Sequence, residues 1–376
     1  MSSNLVQRKM SEVYFTDLRA DRKSKSVSSK IARLFRASGM DQVFEKGDLV
    51  AIKSHFGEAG SSSFLRPQFV AKVVDLVAAK GGRPFLTDCN TLYLGGRTNA
   101  VDHLMTAARH GFFPPVVNAP LIIADGLTGQ DQFEIPVGLK HCKTVKVGMA
   151  AHRADAILCV SHVKGHMLSG FGGAIKNLGM GFGSRAGKLE MHNDIRPAIK
   201  TPLCKGCGEC AKNCPAGAIT LRSRKAKIDQ KKCFGCGECY AACFNKAISP
   251  GEWTSNDALQ ERMVEYCYGI TKDKGEKLGY ISFLVDFTPH CDCSSWSDLP
   301  IVPDIGILAS RDIVAIDQAA IDMVNAQVGL EGSALKKGLE AGSDKLRALY
   351  GVDWTVQLKY AEELGLGRRK YELVKV

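Results

Sequence analysis

The chain has 376 residues, 45% of them hydrophobic, with a net charge of +11 and 14 cysteines. That length suits about two domains and that composition suits a buried core. No run of about 18 apolar residues is present, which argues against a membrane span, and the start Met1-Ser-Ser-Asn-Leu-Val-Gln-Arg8 lacks a leader's apolar stretch. The expectation is a cytoplasmic protein in a reducing, oxygen-poor compartment where free thiols persist.

In chain order, Asp48-Leu-Val-Ala-Ile-Lys53 is a short apolar run ending in a polar residue, the pattern of a buried parallel strand. Pro67 fits the first turn of a helix whose Phe69, Val70, Val73, Val74 and Val77 share one face, and Gly81-Gly82 stop it. Pro84-Phe-Leu-Thr-Asp88 returns as a strand, completing a βαβ unit. Ala156 to Ser161, Tyr280 to Val285 and Ile305 to Ala309 read as further strands, and a helix is expected from Ile313 to Val328. The alternation predicts an α/β fold, a mostly parallel sheet flanked by helices, whose core is formed by residues 1–197 and 251–376. Between them, 198–250 reads as an inserted small α+β ferredoxin-like domain.

That insert carries the most specific motif. Cys204-Lys-Gly-Cys207-Gly-Glu-Cys210-Ala-Lys-Asn-Cys214 recurs 29 residues later as Cys233-Phe-Gly-Cys236-Gly-Glu-Cys239-Tyr-Ala-Ala-Cys243. Each is a C-x2-C-x2-C-x3-C run, the bacterial ferredoxin spacing in which the fourth cysteine serves the other run's [4Fe–4S] cluster. One cluster then takes Cys204, Cys207, Cys210 and Cys243, and the other Cys233, Cys236, Cys239 and Cys214. A disulfide framework suits neither the length nor the compartment, and zinc leaves the third cysteine of each run unexplained. Phe244 departs from the proline that usually follows the last cysteine. From Ile195 to Pro250 there are eleven Lys or Arg against three acids, most of the chain's positive excess. Two readings stay open for it: a basic shell balancing anionic clusters, or a docking face for an acidic ferredoxin- or flavodoxin-type partner. No nucleic-acid recognition motif accompanies the charge.

Polar residues gather after the strands, where ligands bind in open parallel sheets. Lys53, His55 and Glu58 follow the first; Asp88, Asn90, Thr91, Tyr93 and Arg97 the second; His162, Lys164 and His166 the third. Ser169 to Arg185 holds six glycines beside Lys176, Asn177, Arg185 and Lys188, and reads either as a loop offering amides and cations to an anion or as a flexible structural loop. It matches no nucleotide fingerprint. Cys291 and Cys293, one residue apart, suit an extra metal with His55, His166 or His192, a redox or nucleophilic pair, or plain burial. Cys89, Cys142, Cys159 and Cys267 read as core residues.

Nearly the whole chain resembles a known family. The matching segments are Lys53-Ser-His-Phe-Gly-Glu58, Thr87-Asp88-Cys-Asn90-Thr91-Leu-Tyr93-Leu-Gly95-Gly-Arg97, Asp125-Gly126, Val163-Lys164-Gly-His166, Gly172-Gly-Ala-Ile-Lys176-Asn177-Leu-Gly179, Phe287-Thr-Pro-His-Cys291-Asp-Cys293 and Pro303-Asp304-Ile-Gly-Ile-Leu-Ala-Ser310. They resemble the uncharacterised iron–sulfur-centre proteins of prokaryotes, domain of unknown function 362, often fused to a two-cluster ferredoxin module. Ile313 stands where members often have proline. The resemblance implies the fold, the insertion, the clusters and a site at these polar residues, but no substrate.

The first expectation for function is a ferredoxin-dependent reductase. Its small anionic substrate would be held by Lys53, Glu58, Asp88, Asn90, Thr91, Arg97, Lys176, Asn177 and Arg185, with His55, Lys164 and His166 as catalytic groups. The alternatives are an electron carrier without its own substrate, and a nonredox or metal-handling protein with structural or sensory clusters.

Overall fold

The computed structural model describes residues 10–93, 95–192, 197–214, 216–233, 239, 242–243, 245, 247–249 and 255–376. Cys236, Phe244 and the residues read for a leader lie outside this set. The centre is an eight-stranded sheet of β1 (Ser11–Thr16), β2 (Leu49–Lys53), β3 (Arg83–Asp88), β4 (Leu121–Ile123), β5 (Ala156–His162), β6 (Leu278–Leu284), β7 (Gly306–Ser310) and β8 (Tyr371–Lys375). Its spatial order is β8-β1-β7-β6-β5-β2-β3-β4. β7 runs against both neighbours, β6 and β1, while the other pairings are parallel. The fold is therefore α/β with a mostly parallel sheet.

The apolar runs are continuous because the inner strands are covered on both faces. In β2, Val50 and Ile52 enter the core that packs α1 (Val27–Ala37), α2 (Pro67–Ala79) and α3 (Ala100–Arg109). Ala51 enters the opposite core, built by α4 (Ala174–Phe182), α5 (Arg185–His192), α6 (Asn256–Lys274), α7 (Ile313–Asn325) and α8 (Thr355–Glu363). In α2, Val70, Val73, Val74 and Val77 are buried, on the order of 1.5–3 kcal/mol of apolar transfer each. Phe69 is only partly buried and stacks on Phe283 of β6.

The helix expected to run to Val328 stops at Asn325. Lys345 donates its Nζ to Asn325 O (3.0 Å) and Glu340 O (3.1 Å), and its backbone N–H to Asn325 Oδ1 (3.1 Å), fixing the chain into a turn there. At the other end Asp312 Oδ1 accepts the N–H groups of Val314 and Ala315 (both 2.9 Å), a cap that starts α7 without proline.

In the cysteine-rich segment, Ala198–Ile199 pairs antiparallel with Ile248–Ser249, so the chain leaves and returns side by side. Ile219–Arg222 pairs with Lys225–Ile228 across Ser223 and Arg224, both at positive φ as a tight hairpin turn requires. Its small core joins Cys204, Cys210, Cys239 and Cys243 to Ile219, Ala226, Ala247 and Ile248.

Candidate functional site

From β2 the chain steps outward to β3 and β4, then returns to lay β5 on the other side of β2. Strand order reverses there, the place where open α/β sheets hold ligands. Beyond the strand ends opens a cavity with about 860 Å³ of empty space, part of it open to solvent.

Lys53, at the end of β2, is fully buried and meets Asp88 Oδ1 at 3.0 Å and Asn177 Oδ1 at 2.8 Å. Asn177 Nδ2 donates to Val160 O (3.1 Å) and Ser161 Oγ (3.0 Å), tying α4 to β5. A Cβ on Gly181 would lie 2.6 Å from Lys53 Nζ, so glycine is what lets the lysine pass. Arg97 is buried between Glu58 (3.2 Å) and Asp88 (3.6 Å), with Nη2 on the Tyr93 hydroxyl (2.5 Å), and its pKa is raised. His55 Nδ1 accepts the Gly57 N–H (3.1 Å), and Arg97 Nη1 stands 3.0 Å from Nε2. Burial, then Arg97, Lys164, Lys53 and Lys176, holds its pKa well below the usual histidine range.

After β5 a hairpin of Lys164–His166 and Gly170–Gly172 forms the next wall. Lys164 Nζ and His162 Nδ1 each hold Asp292 Oδ2 at 2.9 Å. Burial opposes the Asp292 charge, yet His162 and Lys164 keep its pKa low. His166 Nδ1 meets both the Ser169 N–H (3.2 Å) and the Ser169 hydroxyl (2.9 Å), whose own proton goes to Phe171 O (2.8 Å). Burial, Lys176, His192 and Lys164 hold His166 neutral, and burial with Lys176 and Lys188 brings His192 down to about 4. Lys176 Nζ stands 3.6 Å from Cys291 Sγ. Burial works against its charge, but Cys291, Cys293 and Asp292 leave its pKa raised. The Cys293 hydrogen bond, Lys176 and Lys164 outweigh burial and lower the Cys291 thiol well below its ordinary value, while Cys293 is raised by that same bond and by burial.

Most of the residues expected at the site therefore meet in one cavity: Lys53, His55, Asp88, Thr91, Arg97, Lys164, His166, Lys176, Asn177 and Cys293 line it. Glu58 stands behind Arg97. Asn90 turns away, giving Nδ2 to Asp125 Oδ1 (3.0 Å) and Gly126 O (2.8 Å). Arg185 is buried at the start of α5 and does not line the cavity. The glycine stretch is not an open loop: Ala174–Phe182 is helix, and Gly179 packs against the Met263 carbonyl. Lys188 and His192 also line the cavity; their four-residue spacing on one helix was the signal in the sequence. Cys89 lines it too, while Cys142, Cys159 and Cys267 are core residues. Five cations reach the wall against the carboxylates of Asp88, Glu58 and Asp292, and the three lining imidazoles are neutral, so the cavity suits an anion.

The cysteine segment has its own small pocket, lined by Cys204, Cys207, Cys210 and Cys243. Cys204 Sγ accepts the Ala226 N–H (3.4 Å) and Cys243 Sγ the Ala247 N–H (3.2 Å). Burial and the neighbouring thiols of Cys243, Cys204 and Cys207 raise Cys210. In the second set Cys214 Sγ accepts the Ala218 N–H (3.2 Å). Among the described residues no three His, Cys, Asp or Glu side chains converge on one metal-ion position. Cys291 and Cys293 accordingly do not form such a set with His55, His166 or His192. Four thiols spread around a void have the donor set of a polynuclear centre.

Together these features define an α/β protein with a cation-lined cavity at the switch point of its sheet. The chain belongs to the family described as domain of unknown function (DUF362), which matches residues 50–322. No curated protein matches it. Among solved structures it is similar to the lactate racemase apoprotein from Thermoanaerobacterium thermosaccharolyticum, at 12% identity and TM-score 0.42 over 80% of this chain and 56% of that one. A protein from Thermotoga maritima is similar at 10% identity and TM-score 0.36, over 69% of this chain and 50% of that one. The chain thus spans about half the length of each. No helix among the described residues is long and apolar enough to cross a membrane.

Proposed function

We propose that the chain holds two [4Fe–4S] clusters and reduces a small anionic substrate in the core cavity, drawing on a ferredoxin- or flavodoxin-type partner. The observation that carries this reading is the grouping of thiols. Cys243, from the second run, lines one cavity with Cys204, Cys207 and Cys210 from the first, the crossed arrangement of a two-cluster ferredoxin. Cys233, Cys236, Cys239 and Cys214 would hold the second cluster. Bound clusters supply electrons one at a time.

The core side chains then have distinct tasks. Lys176, Lys164 and Arg97 attract and orient the anion. His166, held neutral and lining the cavity, hydrogen-bonds to it or passes it a proton. His55, braced by Arg97 and Gly57, shapes the wall without adding charge.

Anaerobic purification followed by iron and sulfide counting should give about eight of each per chain. The electron paramagnetic resonance signal of the dithionite-reduced protein is then followed while small carboxylates and phosphates are added. Reoxidation or a changed spectrum with one class of anion is the expected result and defines the substrate class. Iron far below eight removes the cluster assignment; full iron with no response to any anion leaves a carrier.

A further inference from the structure

The loop after β6 presents two sulfurs on either side of an immobilised residue. Asp292 is pinned by His162 and Lys164, each at 2.9 Å, and its carbonyl accepts the Glu58 N–H at 2.8 Å. Ser294 N–H closes a turn onto Cys291 O at 2.9 Å, and the Tyr350 hydroxyl donates to Pro289 O just before it. Cys293 reaches the cavity wall, and Cys291 sits beneath it, 6% exposed, with Lys176 Nζ 3.6 Å from its sulfur. The two cysteines stand on that turn with one residue between them. A sulfur held beside an ammonium, a second thiol across one intervening residue and a cavity that this second thiol reaches are the elements of thiol–disulfide exchange.

We propose that Cys291 and Cys293 form a dithiol–disulfide redox pair that faces the cavity, with Cys291 as the attacking sulfur and Cys293 as the resolving one. The co-reactant is a low-molecular-weight disulfide or dithiol. The Cys291 thiolate attacks one sulfur of the disulfide; a new S–S bond forms, the reagent's own S–S bond breaks, and the departing thiolate takes the Cys293 proton. The Cys293 thiolate then attacks Cys291 Sγ, and the second reagent thiolate leaves and takes a proton from water. Two electrons have passed from the pair to the reagent, and a dithiol reverses every step. The pair belongs to the core, so the inference holds whether or not clusters are bound on the cysteine runs.

The test uses the full chain, prepared anaerobically, equilibrated in glutathione buffers of varying oxidised-to-reduced ratio, quenched in acid and alkylated. Mass spectrometry of the peptide containing Cys291 and Cys293 is the readout, with iron counted on the same sample so that cluster loading is scored separately. The expected result is a peptide that loses two hydrogens and both alkyl groups together as the buffer becomes oxidising, and regains them under reduction. Cys293→Ser should stop at a mixed disulfide on Cys291. Lys176→Gln should slow adduct formation by about tenfold or more at neutral pH, because less thiolate is present. Two thiols alkylated at every ratio, or a wild-type adduct that never closes, would overturn the proposal.

Discussion

His103 lies fully buried on α3 beside the site, and neither of its ring nitrogens meets a protein partner among the described residues. Burial brings its pKa down to about 3; Asp88 opposes that, and Arg97, Lys188 and Lys53 reinforce it. The folded chain thus binds this proton more weakly than the unfolded chain, whose histidine titrates near 6.5. The stability tied to the neutral ring is complete above that value and is lost as pH falls toward about 3, at up to about 1.4 kcal/mol per pH unit. Leucine has similar bulk and no polar atoms to bury. Urea unfolding of His103→Leu should therefore match or exceed the wild type by about 1 kcal/mol at pH 7, with a larger margin at pH 5. A loss of several kcal/mol at pH 7 would mean the imidazole makes a contact that leucine cannot replace. The cavity histidines His55, His166 and His192 are likewise held neutral by burial and by neighbouring cations, Lys176 common to all three, so acid should weaken the site and the fold together.

At the level of elements, α4 decides the shape of the site. Its N-terminus is fixed by Asp317 of α7, whose carboxylate accepts the N–H groups of Ala174 (2.7 Å) and Ile175 (2.9 Å). Its glycines allow α6 and Lys53 to approach closely, and this gives Gly179→Ala a definite sign. Helix propensity alone favours alanine by about 1 kcal/mol, but a Cβ there strikes the Met263 carbonyl of α6, and such overpacking costs about 1–3 kcal/mol. A lower urea midpoint is expected; a rise would show that α4 and α6 part freely. The same glycines hid the helix in the sequence, since Ser169 to Arg185 reads as a loop by composition and only tertiary contact makes it helical. Inner strands were legible because burial on both faces leaves runs such as Val50 to Ile52 wholly apolar. The edge strand β8 and its neighbour β1 are partly exposed and carry Glu12, Glu372 and Lys375, so their pattern is faint. In α6 the buried Gln260 and Glu265 blur the helical period, because Glu265 accepts the N–H groups of His141 (2.9 Å) and Cys142 (2.6 Å).

Across the whole molecule, residue types at strand ends announced a site, but strand order assembled it. Nothing local to Lys176 or Cys291 places them 3.6 Å apart, 115 positions distant in sequence. The cysteine segment behaves differently, since its motif is short-range and its core of Cys204, Cys210, Cys239, Cys243, Ile219, Ala226, Ala247 and Ile248 draws on no residue of the large sheet. Entry and exit strands pair with each other, so structure lost inside the segment need not propagate outward. Cys207→Ser should accordingly lower the iron count by about half or more while the α/β core keeps its unfolding free energy to within about 0.5 kcal/mol, as distant surface changes do. Cys207 is the exposed member of its set, so the serine itself disturbs no packing. The paired measurement is iron content and core unfolding on one preparation. A core that melts with the loss of iron would show that the segment, and whatever it binds, is part of the structural foundation of the sheet rather than a unit set into it.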